Sequence, residues 1–405
     1  MYAADKIKPA WKLTFEGART TVAWPSALTF AGSHRRVVCA NHDGTILMWE
    51  LPESPVAGKV LDASGKEVDG IAAPPPVKQL VGHENAVTHL ACAPDGKTLI
   101  STSLDHTVRF WDLEAAASGE AEVVIDRETR ERLARRAPEK EREGMLSAPG
   151  VKLATLAPTA TLSEHRDWIQ ALGMSRDGRR VITGDDAGHA IVWDVAKKAK
   201  ISQWQCEGVA WILAAALSSD GEQALVSQYR RKGGDFNNYP AGLRIYNVAD
   251  GAVKLDILAT NYPKEKNPPY QYQYQYYKFV AEGLVAAAWS PDGKLLAIGQ
   301  GGEGGEGKVH ILAAETGKVL RQVSEHRYGV TDLCFTQDGK FLFTAGRDTT
   351  FRIIQVEDGK EVAKIGQPRG GQFTDWLSAI SLSPDERWLA AADISGHVQV
   401  WQLGQ

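Results

Sequence analysis

The apolar positions of this chain fall in short runs separated by turn signals, and one polar–apolar phrase keeps returning. Its clearest copy runs Gly82-His83, Val87-Thr88-His89-Leu90, Pro94-Asp95-Gly96-Lys97, Leu99-Ile100-Ser101, Asp105 and Phe110-Trp111-Asp112. Runs this short, bounded by Asp-Gly, predict strands joined by tight turns. The order reappears as Glu164-His165, Asp177-Gly178 and Trp193-Asp194, then as Glu325-His326, Asp338-Gly339 and Asp348. Such a repeat outranks local signals, because one unit cannot bury its apolar faces alone and must stack on its neighbours. The expectation is an all-β array of four-stranded antiparallel units.

The phrase resembles that of the WD-repeat β-propellers, named for the Trp-Asp that ends strand C of each blade. In that family a His before strand A, a Ser or Thr in strand B, an Asp in the B–C turn and the strand-C Trp form a hydrogen-bonded relay. The resemblance implies such a relay in the second blade from His83, Ser101, Asp105 and Trp111. The sixth blade keeps His326, Thr344 and Asp348, with Ile354 in the Trp place. The third has His165, Thr183 and Trp193, with one residue too many around Asp186. The first retains Asp43 and Trp49 with Cys39 in the Ser/Thr place, while Tyr246 and Leu312 replace the Trp of the fourth and fifth.

The turns at Asp177-Gly178, Asp220-Gly221, Asp292-Gly293, Asp338-Gly339 and Asp385 act as a ruler. Neighbouring turns lie close to the ~40–45 residues of one WD blade. The gaps from Asp95 to Asp177 and from Asp220 to Asp292 are wider and hold insertions. A degenerate first copy at Ala27–Phe30, Val37–Ala40 and Ile46–Leu51 brings the count to seven. The last blade has a strand C at Val398–Leu403 with no strand D after it, and Trp11–Phe15 is an alternating strand left over ahead of the first blade. The prediction is a closed seven-bladed β-propeller spanning residues 1–405 as a single domain. Its last blade is completed by the N-terminal strand, which removes two sheet edges.

Composition narrows the partners. A hydrophobic fraction of 43% with 39 glycines suits a soluble, turn-rich protein, and a net charge of −4 gives no global attraction to nucleic acid or anionic membrane. No apolar stretch reaches the ~18 residues of a membrane helix, and the first residues lack the apolar core of a signal peptide. The cysteines (Cys39, Cys92, Cys206, Cys334) fall in different blades with no CxxC, which predicts free thiols, a reducing compartment and a cytoplasmic location. Export stays open only if a signal was removed ahead of this numbering.

Insertions are expected at 52–76, 114–158, 229–242 and 258–281. The first two are C–D loops on the bottom face: one carries a hairpin signal (Lys59–Leu61, Glu67-Val68), the other a charged, helix-prone run from Asp126 to Glu143. The last two lie on the top rim of neighbouring blades. Residues 229–242 bring Arg230, Arg231 and Tyr239; residues 258–281 bring Tyr262, Tyr270, Tyr272, Tyr274, Tyr276 and Tyr277. Tyrosine at alternate positions puts the rings on one face of an extended segment, where they either form a recognition surface or cover the rim. Trp168, Trp211 and Trp376 stand just before the apolar run of strand A in their blades, with Tyr328 nearby in the sixth. In the family such positions ring the channel mouth, so these residues are candidate binding positions.

Catalytic and metal signals are weak. No HExxH or comparable ligand pair occurs, and GQGGEGGEG lacks the GK[ST] of a phosphate loop. The reading is a non-catalytic interaction scaffold, monomeric as a propeller, without cofactor or metal, that binds a protein or peptide on its top face. Two alternatives remain open: a propeller enzyme of lactonase or hydrolase type with its site in the channel, and nucleic-acid binding through the basic Tyr-rich loops. The mostly apolar or small strand A segments speak against the first, and the lack of a wider basic stripe against the second.

Overall fold

The computed structural model describes residues 2–14, 24–61, 67–71, 74–123, 139, 151–207, 211–229, 241–262, 279–280, 283–301, 306–366 and 376–404. Their strands form seven antiparallel blades, each ordered A-B-C-D from the centre outwards. Strand A of each blade contacts strand A of the next all the way round, from Pro25–Ala31 of blade 1 to Leu377–Leu382 of blade 7 and back. The ring is therefore closed. Blade 7 takes its outer strand from Lys8–Thr14, which pairs antiparallel with His397–Gln402, Trp11 opposite Val400 and Leu13 opposite Val398.

Blade 1 departs from the expected plan. Its strand D is Lys78–Leu80, but two further strands extend the sheet to six: Val151–Leu156 pairs parallel to Lys78–Leu80, and Gly119–Val123 pairs with Val151–Leu156. The 114–158 insertion of blade 2 thus adds strands to its neighbour and is not simply a helical excursion. The charged run itself lies outside the described residues, save Glu139. Ala57–Leu61 and Glu67–Ile71 form a separate two-stranded hairpin where the alternation predicts one.

The A–B turns explain why Asp-Gly recurs. Ser175 Oγ donates to Asp177 Oδ1 at 2.7 Å, and that oxygen also accepts from the Arg179 N–H at 3.0 Å. Ser290/Asp292, Thr336/Asp338 and Ser383/Asp385 repeat the hydroxyl–carboxylate bond at 2.7, 2.7 and 2.6 Å. Gly178 sits at φ 69°, and a Cβ there would lie 2.2 Å from Pro94 Cδ of the preceding blade. The carboxylate closes the turn, and glycine allows both the left-handed backbone and the close approach.

The apolar core is divided among the seams. Each of seven buried clusters lies between two adjacent blades; Trp11, Leu13, Val37 and Val400, for instance, fill the seam between blades 7 and 1. No blade buries its faces by itself, as a stacked-repeat architecture requires.

Candidate functional site: relays, channel and top rim

The relays are buried staples. In blade 2, His83 Nδ1 lies 2.7 Å from Asp105 Oδ2 and its Nε2 lies 2.7 Å from Ser101 Oγ, which accepts from Trp111 Nε1 at 2.9 Å. Blade 6 repeats the first two links through His326 with Asp348 and Thr344, both at 2.9 Å, and Ile354 fills the Trp place. In blade 3, His165 bonds Thr183 at 2.6 Å and Trp193 Nε1 donates to the same hydroxyl at 2.8 Å. The aspartate of that relay is Asp185, 2.9 Å from His165, and not Asp186. Asp185 ends strand B, so it reaches the histidine from the strand; Thr183 and Trp193 are 10 residues apart, as Ser101 and Trp111 are, so blade 3 holds no extra residue between them. Among the described residues blade 5 shows no polar relay: Val280, Ile298 and Leu312 hold the His, Ser/Thr and Trp places, all fully buried in one apolar cluster.

Burial lowers His83 and His326 below the ordinary imidazole value despite their aspartates. Burial alone would raise Asp348, but the hydrogen bond and charge of His326, with Thr350 and Arg352, outweigh it and hold the carboxyl at about 2. Asp105 is likewise held well below the carboxylate range, its burial outweighed by His83 and Thr107. The Ser-His-Asp order mimics a hydrolytic triad, yet Ser101 is fully buried and its oxygen is already engaged by Trp111.

The central channel holds about 530 Å³ and is lined by the strand A segments of all seven blades. Its wall is largely apolar or small, with the thiols of Cys92 and Cys334 and the acid–base side chains of His89, Asp332 and Glu386 among its lining. Asp332 of blade 6 accepts from the Leu333 N–H at 2.8 Å and from the Ile380 N–H of blade 7 at 2.9 Å, and burial pushes its carboxyl up to about 6. His89 of blade 2 is lowered by burial to about 4. At the bottom end Arg176 of blade 3 donates to the carbonyls of Pro291 and Gln337, both at 3.2 Å, bridging to blades 5 and 6. Among the described residues no group of three or more His, Cys, Asp or Glu is placed to hold a metal ion.

At the top end, strand A of every blade carries a β-bulge near its start, as at Ile169/Ala171, Ile212/Ala214 and Leu377/Ala379. In the blades other than the fourth, the carbonyl just ahead of strand A accepts an N–H from the B–C turn: Trp24 from His42 at 3.1 Å, Trp168 from Asp186 at 2.9 Å, Trp376 from Ile394 at 3.0 Å. Trp211, opposite Tyr229, occupies the same place in blade 4. Four of seven blades therefore present a Trp at one equivalent rim position. Trp24, which the sequence reading passed over, belongs to the set because its blade begins strand A at Pro25, ahead of the apolar run used to place it.

Three of these rings are solvent-facing: Trp24 is 43%, Trp168 48% and Trp211 41% exposed. Trp376 is partly buried, with the Arg347 guanidinium 4.8 Å above its ring, and Arg327 stands 4.9 Å over Tyr328. Arg230, Arg231, Tyr239, Tyr270, Tyr272, Tyr274 and Tyr276 lie outside the described residues.

A ring of seven four-stranded blades defines a β-propeller. The family described as "WD domain, G-beta repeat" matches residues 74–112, 156–194, 317–355 and 367–402, and the chain is a WD-repeat β-propeller. Its curated relatives include Autophagy-related protein 16 of Arabidopsis thaliana, 27% identical over 25% of this chain and 19% of that protein. WD repeat and SOCS box-containing protein 1 of Homo sapiens is 33% identical over 24% of the chain and 22% of that protein. Protein groucho of Drosophila melanogaster is 23% identical over 62% of the chain and 30% of that protein. The matches thus span under a third of each relative's length.

Proposed function

We propose that the chain is a non-catalytic interaction scaffold that holds a protein or peptide partner on its top face, with Trp24, Trp168 and Trp211 as anchors. The carrying observation is the exposure of three tryptophans at one equivalent rim position. An indole left half in water offers on the order of 100 Å² of apolar surface, so covering it stabilises a complex by about 2–3 kcal/mol per ring. That is the size of an interface hot spot. The burial of the Ser-His-Asp sets supports a structural role for them and weakens the enzyme reading. The four cysteines are free, which supports a reducing setting.

The test combines Trp24→Ala, Trp168→Ala and Trp211→Ala in one variant. It is expected to melt close to the wild type, since the rings are solvent-facing, and to lose proteins captured from the native host. Full retention of every captured protein in the folded variant rules the reading out.

A further inference from the structure

Beside Trp168 the rim carries a carboxylate with no cation to answer it among the described residues. Trp168 is fixed from both sides: its N–H donates to Asp167 Oδ1 at 2.8 Å, and its carbonyl accepts from the Asp186 N–H at 2.9 Å. Asp186 is bordered by Asp167 and Asp185, and Gln170, the bulge residue of strand A, is the side chain that hydrogen-bonds to it. Asp185 is committed elsewhere, to His165 at 2.9 Å and to His189 at 3.4 Å. Asp186 Oδ1 is buried and has no hydrogen-bond partner among the described residues. A desolvated, unpaired carboxylate oxygen is costly in a folded protein and marks a group that something else completes.

We propose that Trp168, Asp167 and Asp186 form a receiving site for one cationic side chain, arginine or lysine, of the docked partner. This rests on the top-face reading above and names the chemistry of one anchor. The exposed indole face takes the alkyl stem and the cation by stacking and cation–π attraction. Asp186 and Asp167 supply the negative charge that the partner's cation meets at the rim. Charge complementarity fixes the sign: Asp186 has Asp167 and Asp185 as its charged neighbours, whereas Arg327 and Arg347 already cover Tyr328 and Trp376. Burial first, then the neighbouring carboxylates, raise Asp186 to about 6, the direction expected of a carboxylate awaiting a counter-ion.

The probe is a capped five-residue peptide with a single central arginine in an alanine–glycine background, its lysine form, and its glutamine and norleucine counterparts. Binding is followed on the full chain at pH 7.5 by the Trp168 indole N–H resonance, assigned from its disappearance in Trp168→Phe. The arginine and lysine peptides are expected to shift it saturably, and their relative affinities separate a guanidinium from an ammonium ligand. The neutral peptides bind at least tenfold more weakly, and Asp186→Asn abolishes the difference. Because the decisive comparison between charged and neutral peptides uses the wild-type protein, it does not depend on how any variant folds. Equal binding of charged and neutral peptides, or no saturable shift with any, overturns the proposal. If the triple tryptophan variant loses host partners while Asp186→Asn keeps them all, the scaffold reading stands and the cation site falls.

Discussion

Gln399 Nε2 donates to the carbonyl of Trp11 at 2.8 Å, joining positions 388 residues apart in the chain. Around that bond the Trp11 indole is 1% exposed and meets the Trp388 ring at 4.7 Å. One short strand thus supplies both the last ladder and much of the seam between blades 7 and 1. Trp11→Ala is expected to remove about 3–5 kcal/mol by cavity formation. Deleting residues 1–14 is expected to leave strand C of blade 7 as an open edge that self-associates. Denaturant titration and size-exclusion chromatography read the two effects, and unchanged behaviour of the deletion refutes closure by this strand.

The relays predict a distinct mutational pattern. Asp105→Ala leaves the buried His83 ring without its acceptor and is expected to cost about 1–3 kcal/mol. Gly346→Ala is expected to cost at least as much, because the added Cβ would lie 2.4 Å from His326 Nδ1, inside a site with no room to shift. The pH dependence has a definite sign. Asp348 is held at about 2, below its unfolded value, so its contribution is complete above about pH 4 and fades as pH falls towards 2. Urea midpoints of wild type and Asp348→Asn measured from pH 7 to pH 3 should converge only at the acid end. Convergence already at pH 6 contradicts the assignment.

Much of this was legible in the sequence because each blade repeats the turn and relay chemistry that builds it. Asp-Gly turns need a carboxylate and a left-handed residue, so they survive where the Trp-Asp does not. What escaped were features set by partners elsewhere in the chain. The parallel pairing of Val151–Leu156 with Lys78–Leu80 has no local signature, since an insertion strand carries no mark of the blade that will receive it. Trp24 was hidden because blade 1 lacks the flanking motif that placed the other three. The aspartate of the third relay was left open because the sequence offers Asp185 and Asp186 side by side, and only the strand end shows that Asp185 reaches His165. His89 and Asp332 stand in runs that read as apolar, and only the closed ring turns them into channel wall.

Buried histidines outside the relays should shape the acid limb of stability. His310 is 7% exposed, stacks near Phe279 at 4.8 Å, and neither ring nitrogen has a hydrogen-bond partner among the described residues. Burial, with Lys308 nearby, lowers it to about 4. A folded value below the unfolded ~6.5 means stability is complete above that pH and is lost as pH falls, by up to about 3 kcal/mol at pH 4. His310→Leu removes two unsatisfied polar atoms and should be at least as stable at pH 7 while losing less between pH 6.5 and 4.5. A variant that tracks the wild type in parallel across that range refutes this.

Asp332 should act in the opposite sense. Its two carboxylate oxygens accept the Leu333 and Ile380 N–H groups, the second of them across the seam between blades 6 and 7. Burial nevertheless dominates and raises the group to about 6. Since this lies above the unfolded value near 4, the favourable contribution is present at low pH and is lost as pH rises from about 4 through 6, by up to about 3 kcal/mol. Asp332→Asn keeps an acceptor for one of the two N–H groups and cannot ionise, so its stability should be flatter than wild type between pH 5 and 7.5. Asp332→Ala leaves both buried N–H groups unanswered and should be less stable than the asparagine variant by about 1–3 kcal/mol at every pH. Urea unfolding of the three proteins at pH 5 and pH 7.5 separates the charge from the seam bond. An asparagine variant that loses as much stability as the wild type between those two pH values shows that the channel carboxylate is ionised without penalty, and the argument from its burial fails.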